Sequence, residues 1–284
     1  MKDFYRKNKK TLLMLALVFF VVFLSACGRT DAINADSQGL WDRYIVYNLS
    51  QFILWLSELL GGSYGLAIIV FTALGQIVLL PLTKFQQESM EKSQAIQPEL
   101  QALQEKYSAK DEETKAKLAE ETQKLQDEAG VNPLMGCLPL LIQMPIFIAL
   151  FQTVTRTPEL AQGNFLWLEL GNPDPYYILP ILAAIFTYAN TWLMQYGNPA
   201  ANTGKFMTFL MPAMIFFFTF RVSSALAIYF VTSNFTRSII TLITNNPFKK
   251  RAKLEEEERM KEEDERRRKR ALNKARRTGR SVKK

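Results

Sequence analysis

The chain has no histidine and only two cysteines, Cys27 and Cys137, in 284 residues. A histidine-centred acid–base site, a histidine-containing metal site and a disulfide framework therefore lack their material. Its 13 glycines include no motif that would cradle a phosphate ahead of a helix. Acidic residues are the minority, 27 against 35 Lys+Arg, and the net charge of +8 comes almost wholly from residues after Asn246. These gaps exclude redox and hydrolytic chemistry; neither an enzymatic activity nor a cofactor is expected.

What is present is apolar sequence in blocks. Hydrophobic residues make up 48% of the chain and are gathered into runs, so lipid is the expected solvent. The expected fold is an all-α integral membrane protein with five transmembrane helices, a cytoplasmic helical hairpin and an external interfacial amphipathic helix. Residues 1–26 read as a cleaved lipoprotein signal peptide. Lys2, Arg6, Lys7, Lys9 and Lys10 lead an apolar run, and Leu24-Ser25-Ala26-Cys27 resembles a bacterial lipobox. The Cys27 thiol would then carry lipid and anchor the N-terminus outside; an uncleaved signal anchor with an ordinary cysteine is the alternative.

Residues 27–62 form an external segment in which Trp41, Tyr44, Phe52 and Trp55 mix with Asp42, Arg43, Asn48 and Glu58, a composition suited to a helix lying in the interface. Spans are expected at 63–83, 134–154, 176–195, 206–220 and 224–243, with an external loop at 155–175 and a short cytoplasmic one at 196–205. The fourth span is short for a hydrocarbon core of about 30 Å. Lys84 to Asn132 holds seven Lys, residues 155–175 hold only Arg156, and Lys249 to Lys284 hold 17 Lys+Arg. That bias places 84–132 and the tail 245–284 in the cytoplasm of a bacterial cell. Within 84–132, two helix-favouring stretches, Lys84 to Tyr107 and Asp111 to Ala129, are joined by Ser108-Ala109-Lys110 and read as a hairpin. Leu100, Leu103 and Tyr107 are set to meet Leu118 and Leu125 in a thin apolar stripe, which fits either a docking surface or a solvated spacer.

Polar side chains inside the spans carry the functional signal, because lipid penalises unpaired polar groups. They are Thr72 and Gln76 in the first span, Gln143 in the second, Thr187, Asn190 and Thr191 in the third, and Thr232, Ser233, Asn234, Thr236 and Arg237 in the fifth. Each alone reads as interhelical glue. Together they suggest a hydrated cavity in a bundle that Pro139, Pro145, Pro180 and Pro212 keep from packing tightly.

Gly65 to Lys84 reads GLAIIVFTALGQIVLLPLTK, Asn132 to Leu150 reads NPLMGCLPLLIQMPIFIAL, and Met207 to Asn234 ends in ALAIYFVTSN. These stretches resemble the core of the YidC membrane protein insertases, and the resemblance runs from about Trp41 to Ile243. The lipobox and the lack of a large external domain before the first span resemble the shorter Gram-positive members. The resemblance implies a groove open to cytoplasm and lipid and closed to the outside, through which nascent membrane proteins pass, alone or beside the Sec translocon. Gln76, Thr72, Gln143, Asn190, Asn234 and Arg237 would line it, and Tyr229 and Phe230 would lie on the face along which a client slides into lipid. One departure stands out. The family commonly places an arginine five residues before the Pro of the PLT motif, and here that position is Gln76. Arg237 either supplies the missing charge or reaches to the inner headgroups, the more usual fate of such a side chain.

In the tail, Glu255 and Arg259, Glu257 and Lys261, Glu262 and Arg266, and Glu265 and Lys269 are spaced as i to i+4 pairs of a solvated helix. From Arg266 only positive charges remain. Arg266, Arg267, Arg268, Lys269 and Arg270 suit ribosomal RNA phosphates or anionic lipid, and the resemblance favours ribosome docking; topology determination alone is the plainer reading. Two rivals from other classes are a small-solute transporter, which would show a midplane site and internal repeats, and a lipoprotein scaffold that only holds partners.

Overall fold

A computed structural model describes residues 31–108, 111–131, 138–196 and 204–278. Cys27 lies outside them. The first helix, α1, runs from Asp42 to Leu59 and begins with a π-helical turn, Asp42–Val46. It buries Val46, Ile53 and Leu56 while Leu40, just before it, and its own Tyr44, Ile45, Phe52 and Trp55 stay exposed. An apolar face this exposed suits lipid. Gly61 and Gly62, at φ of 73° and 83°, turn the chain through a corner that a side chain would strain. The next helix, α2 (Tyr64–Val78), leaves at 114° to α1.

The helix through Pro81 is interrupted. The expected first span would continue to residue 83, but α2 ends at Val78 and α3 (Leu80–Ala95) starts after Leu79. Pro81 has no N–H to give the carbonyl four residues back and crowds it. A second break at Ile96, just before Pro98, divides the expected hairpin's first arm into α3 and α4 (Gln97–Lys106). Helix α5 (Glu112–Glu128) packs on α4 with Leu100, Leu103, Leu118 and Leu125 half-buried and no fully buried residue in either helix. Asp111 caps α5 by accepting the Thr114 amide and hydroxyl, both at 2.9 Å. These bonds hold its carboxyl below the usual carboxylate range.

Helix α6 (Leu138–Arg156) contains Pro145, and the short α7 (Pro158–Ala161) follows it. The expected loop 155–175 is structured: Asn164–Phe165 and Leu168–Glu169 pair antiparallel as β1 and β2, with Leu166 at the tip at φ 56°. Three more helices are α8 (Ile178–Tyr196), α9 (Gly204–Thr219) and α10 (Ser224–Thr244), and the chain continues into α11 (Pro247–Thr278). By length and composition, α8 and α10 are each able to cross a membrane, and the bent pair α1–α2 would make a third crossing if counted as one span. Thr208–Thr219 in α9 is apolar but shorter. Helix α10 packs against α2, α6 and α8, and α9 packs on α8.

The core lies at one end of this bundle, here called the ribbon end. Ile53, Ala67, Ile68, Leu150, Val154, Leu160, Leu168, Leu170 and Ala225 to Tyr229 form one buried cluster. These residues come from α1, from α7, from the ends of α2, α6 and α10 that meet the β-ribbon, and from the ribbon and the residue after it. Phe165 of the ribbon lies so close over Gly65 that a Cβ there would sit 2.1 Å from its ring. The amide of Ser224 donates to the Asn172 carbonyl at 2.7 Å and that of Ala225 to Leu170 at 3.1 Å, so the loop after the ribbon takes up donors that the start of α10 leaves open. Asp174 does the same for α8, accepting the amides of Tyr176 at 3.1 Å and Leu179 at 2.7 Å, and it also accepts Trp167 Nε1 at 3.1 Å.

Candidate functional site

Beyond the core, towards the tail end, the helix surfaces that face one another turn polar. Gln76 on α2 lies about 18 Å along its helix from Tyr64, and Arg237 on α10 and Gln143 on α6 each lie about 20 Å from the ribbon end of theirs. Three helices thus bring polar side chains to one level. Arg237 Nε donates to Gln76 Oε1 at 3.1 Å, and its Nη2 donates to Gln143 Oε1 at 3.2 Å. Both amides extend the network back onto α10: Gln76 Nε2 donates to Ser233 Oγ at 3.1 Å, and Gln143 Nε2 donates to the Tyr229 hydroxyl.

The guanidinium is therefore oriented by two neutral carbonyls, and among the described residues no carboxylate lies within ion-pair distance. Of its five N–H groups, three remain for water or for an acceptor that arrives. A cation with neutral partners inside a helical bundle keeps its net charge, and its field is strong where the dielectric is low. Arg237 turns inward to these amides. It stands within hydrogen-bonding distance of the residue that fills the family's usual arginine position.

The other expected site residues divide. Thr72 is buried, but its hydroxyl donates to its own helix at Ile68 O, 2.6 Å away. Asn234 likewise donates to Phe230 O at 2.9 Å, and half-buried Asn190 does not join the network. Tyr229, expected on a sliding face, is buried in the core at 2% exposure and lies two turns from Arg237 on the inward face of α10. Phe230 is half-buried against Phe147 and Phe218 at 5.9 and 5.7 Å between ring centroids. Arg266, Arg267, Arg268, Lys269 and Arg270 are exposed on α11. Two of the expected tail pairs form, Glu262 with Arg266 at 3.5 Å and Glu265 with Lys269 at 3.9 Å; Glu255 and Glu257 pair instead with Arg251 at 2.8 Å and Lys253 at 3.9 Å.

Two groupings were missed from sequence. At the ribbon end, Arg156 and Asp42 form a bidentate pair, both bonds 3.0 Å, at 5% and 4% exposure. Arg156 Nε also donates to Asp31 O at 2.8 Å, and the Trp41 indole donates to Gln152 at 2.9 Å. Together they fasten α1 to the end of α6. The lone basic residue of 155–175 was the available signal. At the tail end, Glu91 on α3 takes Lys250 at 2.7 Å and the Asn245 amide at 2.5 Å. Phe248 packs on Tyr196 at 5.1 Å, and Arg251 lies 4.6 Å over the same ring, so the root of α11 is held on α8.

The sequence profile of the family described as 60Kd inner membrane protein matches residues 55–252. The chain belongs to this family. It is 50% identical over 252 residues to the membrane protein insertase YidC of Enterococcus faecalis, covering 88% of this chain and 90% of that one. It is 44% identical to membrane protein insertase YidC 2 of Listeria innocua over the whole of both chains. Among solved structures, the crystal structure of an active YidC insertase with its first transmembrane domain resolved is similar, with a TM-score of 0.56 and 28% identity. That match covers 86% of this chain and 52% of the solved one, so this member of the 60Kd family spans about half the length of that relative.

Proposed function

We propose that the chain is an insertase and chaperone that moves other membrane proteins into the bilayer and helps them fold, without enzymatic chemistry. The observation that carries this reading is the Arg237 guanidinium, oriented by Gln76 and Gln143, with a closed apolar core on one side and polar side chains on the other. Family membership at up to 50% identity supports the activity. The Lys and Arg bias supports the orientation, with the ribbon end outside, the tail end in the cytoplasm, and α2, α6, α8, α9 and α10 as five spans of a bacterial cell membrane. Cys27 is the proposed lipid anchor on the outside.

The physical logic is that of a shortened path. A charged group at the centre of a lone helix costs on the order of 3 kcal/mol on insertion scales. A polar groove that enters from the tail end as far as Arg237 leaves only the ribbon-end half of the membrane dry. An acidic flank on a client is drawn to the guanidinium, and three free N–H groups can bond its carboxylate. The apolar helix behind it then passes Phe230 into lipid, driven by its own transfer free energy. Gln76 cannot attract that flank by charge, but it places the arginine that does. The basic end of α11 is proposed to hold the ribosome, with the Sec translocon as an optional partner.

The test is reconstitution of the purified chain in protein-free vesicles with a single-span client whose translocated flank is acidic, read by protease protection. Insertion above empty vesicles, falling about tenfold in Arg237→Gln, is expected, since a tenfold rate change needs only ~1.4 kcal/mol. No insertion by the wild-type chain overturns the reading.

A further inference from the structure

Among the described residues, two that are not glycine hold a left-handed backbone: Leu166 at the ribbon tip and Tyr177 just before α8, both at φ 56°. For bulky side chains this conformation is strained, and glycine or asparagine would adopt it at less cost. Neither side chain is buried in the core in return, since Leu166 is 74% exposed and Tyr177 44%. Trp167 and Tyr176 are exposed next to them in the chain, and Tyr177 stacks on exposed Phe220 at 4.5 Å between centroids. The Trp167 indole N–H is already taken by Asp174. The polar ribbon positions, Asn164 and Glu169, face each other one step back from the turn, so the turn itself presents only apolar and aromatic side chains. This patch is fixed to the bundle: Phe165 covers Gly65 of α2, Leu168 is buried in the core, and Asp174 caps α8.

We propose that the ribbon tip and the joint between α8 and α9 form a lipid-contact site, seated in the outer lipid interface, and that this seat sets the depth at which Arg237 is held. The inference rests on the orientation proposed above, with the ribbon end outside. Three observations commit the patch to lipid. It is continuous with apolar surface of a helix able to cross a membrane, because Ile178, Ile181 and Ile185 follow Tyr177 on the exposed side of α8. Its composition, Trp and Tyr with an exposed cation at Arg221, is that of the interfacial end of a span. The backbone strain is offset when the exposed side chains leave water, and transfer into lipid does this without a matched partner surface. The consequence is geometric. Gln76 and Arg237 lie ~18–20 Å along their helices from this end, so a seated tip holds the guanidinium beyond the middle of a hydrocarbon core of about 30 Å.

The test reconstitutes the full chain in phosphatidylcholine–phosphatidylglycerol vesicles with an environment-sensitive fluorescent amino acid at Leu166, or at exposed Lys117 on α5 as a reference in water. Quenching is read with iodide and with lipids brominated high or low on their acyl chains. At position 166, blue-shifted emission, quenching by the high-brominated lipid and at least about threefold less quenching by iodide than at 117 are expected. Iodide reaching both positions alike overturns the seat. Protection at 166 that vanishes when the protein is diluted in lipid also overturns it and assigns the patch to a second copy; protection that needs a stalled nascent chain assigns it to a client. Depth is read with a second probe at Ile239, exposed on α10, from the ratio of quenching by the two brominated lipids. Leu166→Asn with Tyr177→Asn suits the backbone but removes apolar surface, and should shift that ratio about twofold, whereas Leu166→Met with Tyr177→Phe should not. An unchanged ratio in the asparagine variant overturns the depth-setting role. Insertion by a chain whose tip stays in water removes the seat alone, and a seated tip on a chain that inserts nothing removes the insertase reading alone.

Discussion

At the ribbon end of the bundle nearly every group is spoken for, whereas at the level of Arg237 several are deliberately neutral or spare. Asp42 and Arg156 neutralise each other while both are buried, Asp174 and the Leu170 and Asn172 carbonyls close the starts of α8 and α10, and Phe165 covers Gly65. Some 20 Å along the same helices, Arg237 has only amide oxygens for company, and the helices meet through hydrogen bonds from the guanidinium and between neutral side chains. Both regions hold an arginine between helices, Arg156 buried and Arg237 half-buried. One is paired and fastens α1 to α6; the other is oriented but unpaired and keeps a field. A charge held between helices thus serves rigidity or attraction according to its partner.

The largest effect should come from breaking the paired arginine. Asp42→Ala leaves the Arg156 charge buried without its partner and is expected to cost ~3–5 kcal/mol, read as thermal unfolding in detergent. The double substitution Asp42→Leu with Arg156→Met should recover most of that loss, because two apolar side chains of similar volume need no pairing. Recovery would separate stability from any role for the charge itself. Next in size is Gly65→Ala, which forces the Phe165 ring aside and should cost ~1–3 kcal/mol, less when combined with Phe165→Leu. A Gly65→Ala protein as stable as wild type would mean that the ribbon end is looser than its packing indicates.

Smaller in stability but larger in function is the unpaired arginine. Exchanging the two residues, Gln76→Arg with Arg237→Gln, returns a guanidinium to the same level from the opposite helix, with the amide acceptor now on α10. Insertion of an acid-flanked client should return to within about twofold of wild type, while Arg237→Gln alone stays about tenfold down and a neutral-flanked client changes little in either. If the exchange fails although the protein is folded, the direction of approach matters and not the charge alone.

How much of this was legible beforehand varies with the range of the cause. Long apolar blocks announced helices because their signal is local and repeated. The ribbon gave no such signal: two-residue strands have no measurable period, and the turn at Leu166 uses a positive φ without a glycine to advertise it. The break at Leu79 was readable from Pro81, although the expected span ran through it. Gln76, Gln143 and Arg237 were singled out as polar intrusions in apolar sequence, but their meeting was not readable. An arginine's choice between headgroups and interior is set by acceptors on other helices, here 161 and 94 residues away. Asp42 and Arg156, 114 residues apart, looked like ordinary interfacial charges for the same reason.

The smallest expected effect sharpens the comparison most. Thr241→Val keeps the side chain's shape and removes only the acceptor that Gln87 uses at 3.2 Å. Polar contacts between membrane helices average ~0.6 kcal/mol and reach ~1.7, and Gln87 is half-buried beside a small cleft at the tail end, where water can replace the lost partner. Thermal stability should therefore shift by less than ~1 kcal/mol, several times less than Asp42→Ala. Each substitution removes one polar partner, so the difference between them measures what surrounds the partner left behind. A Thr241→Val cost near that of Asp42→Ala would mean that the tail end is as tightly sealed as the ribbon end. A seam that resists water to that degree could not serve as the polar wall along which a client's flank is passed upward, and the groove would have to be sought on another face of α10.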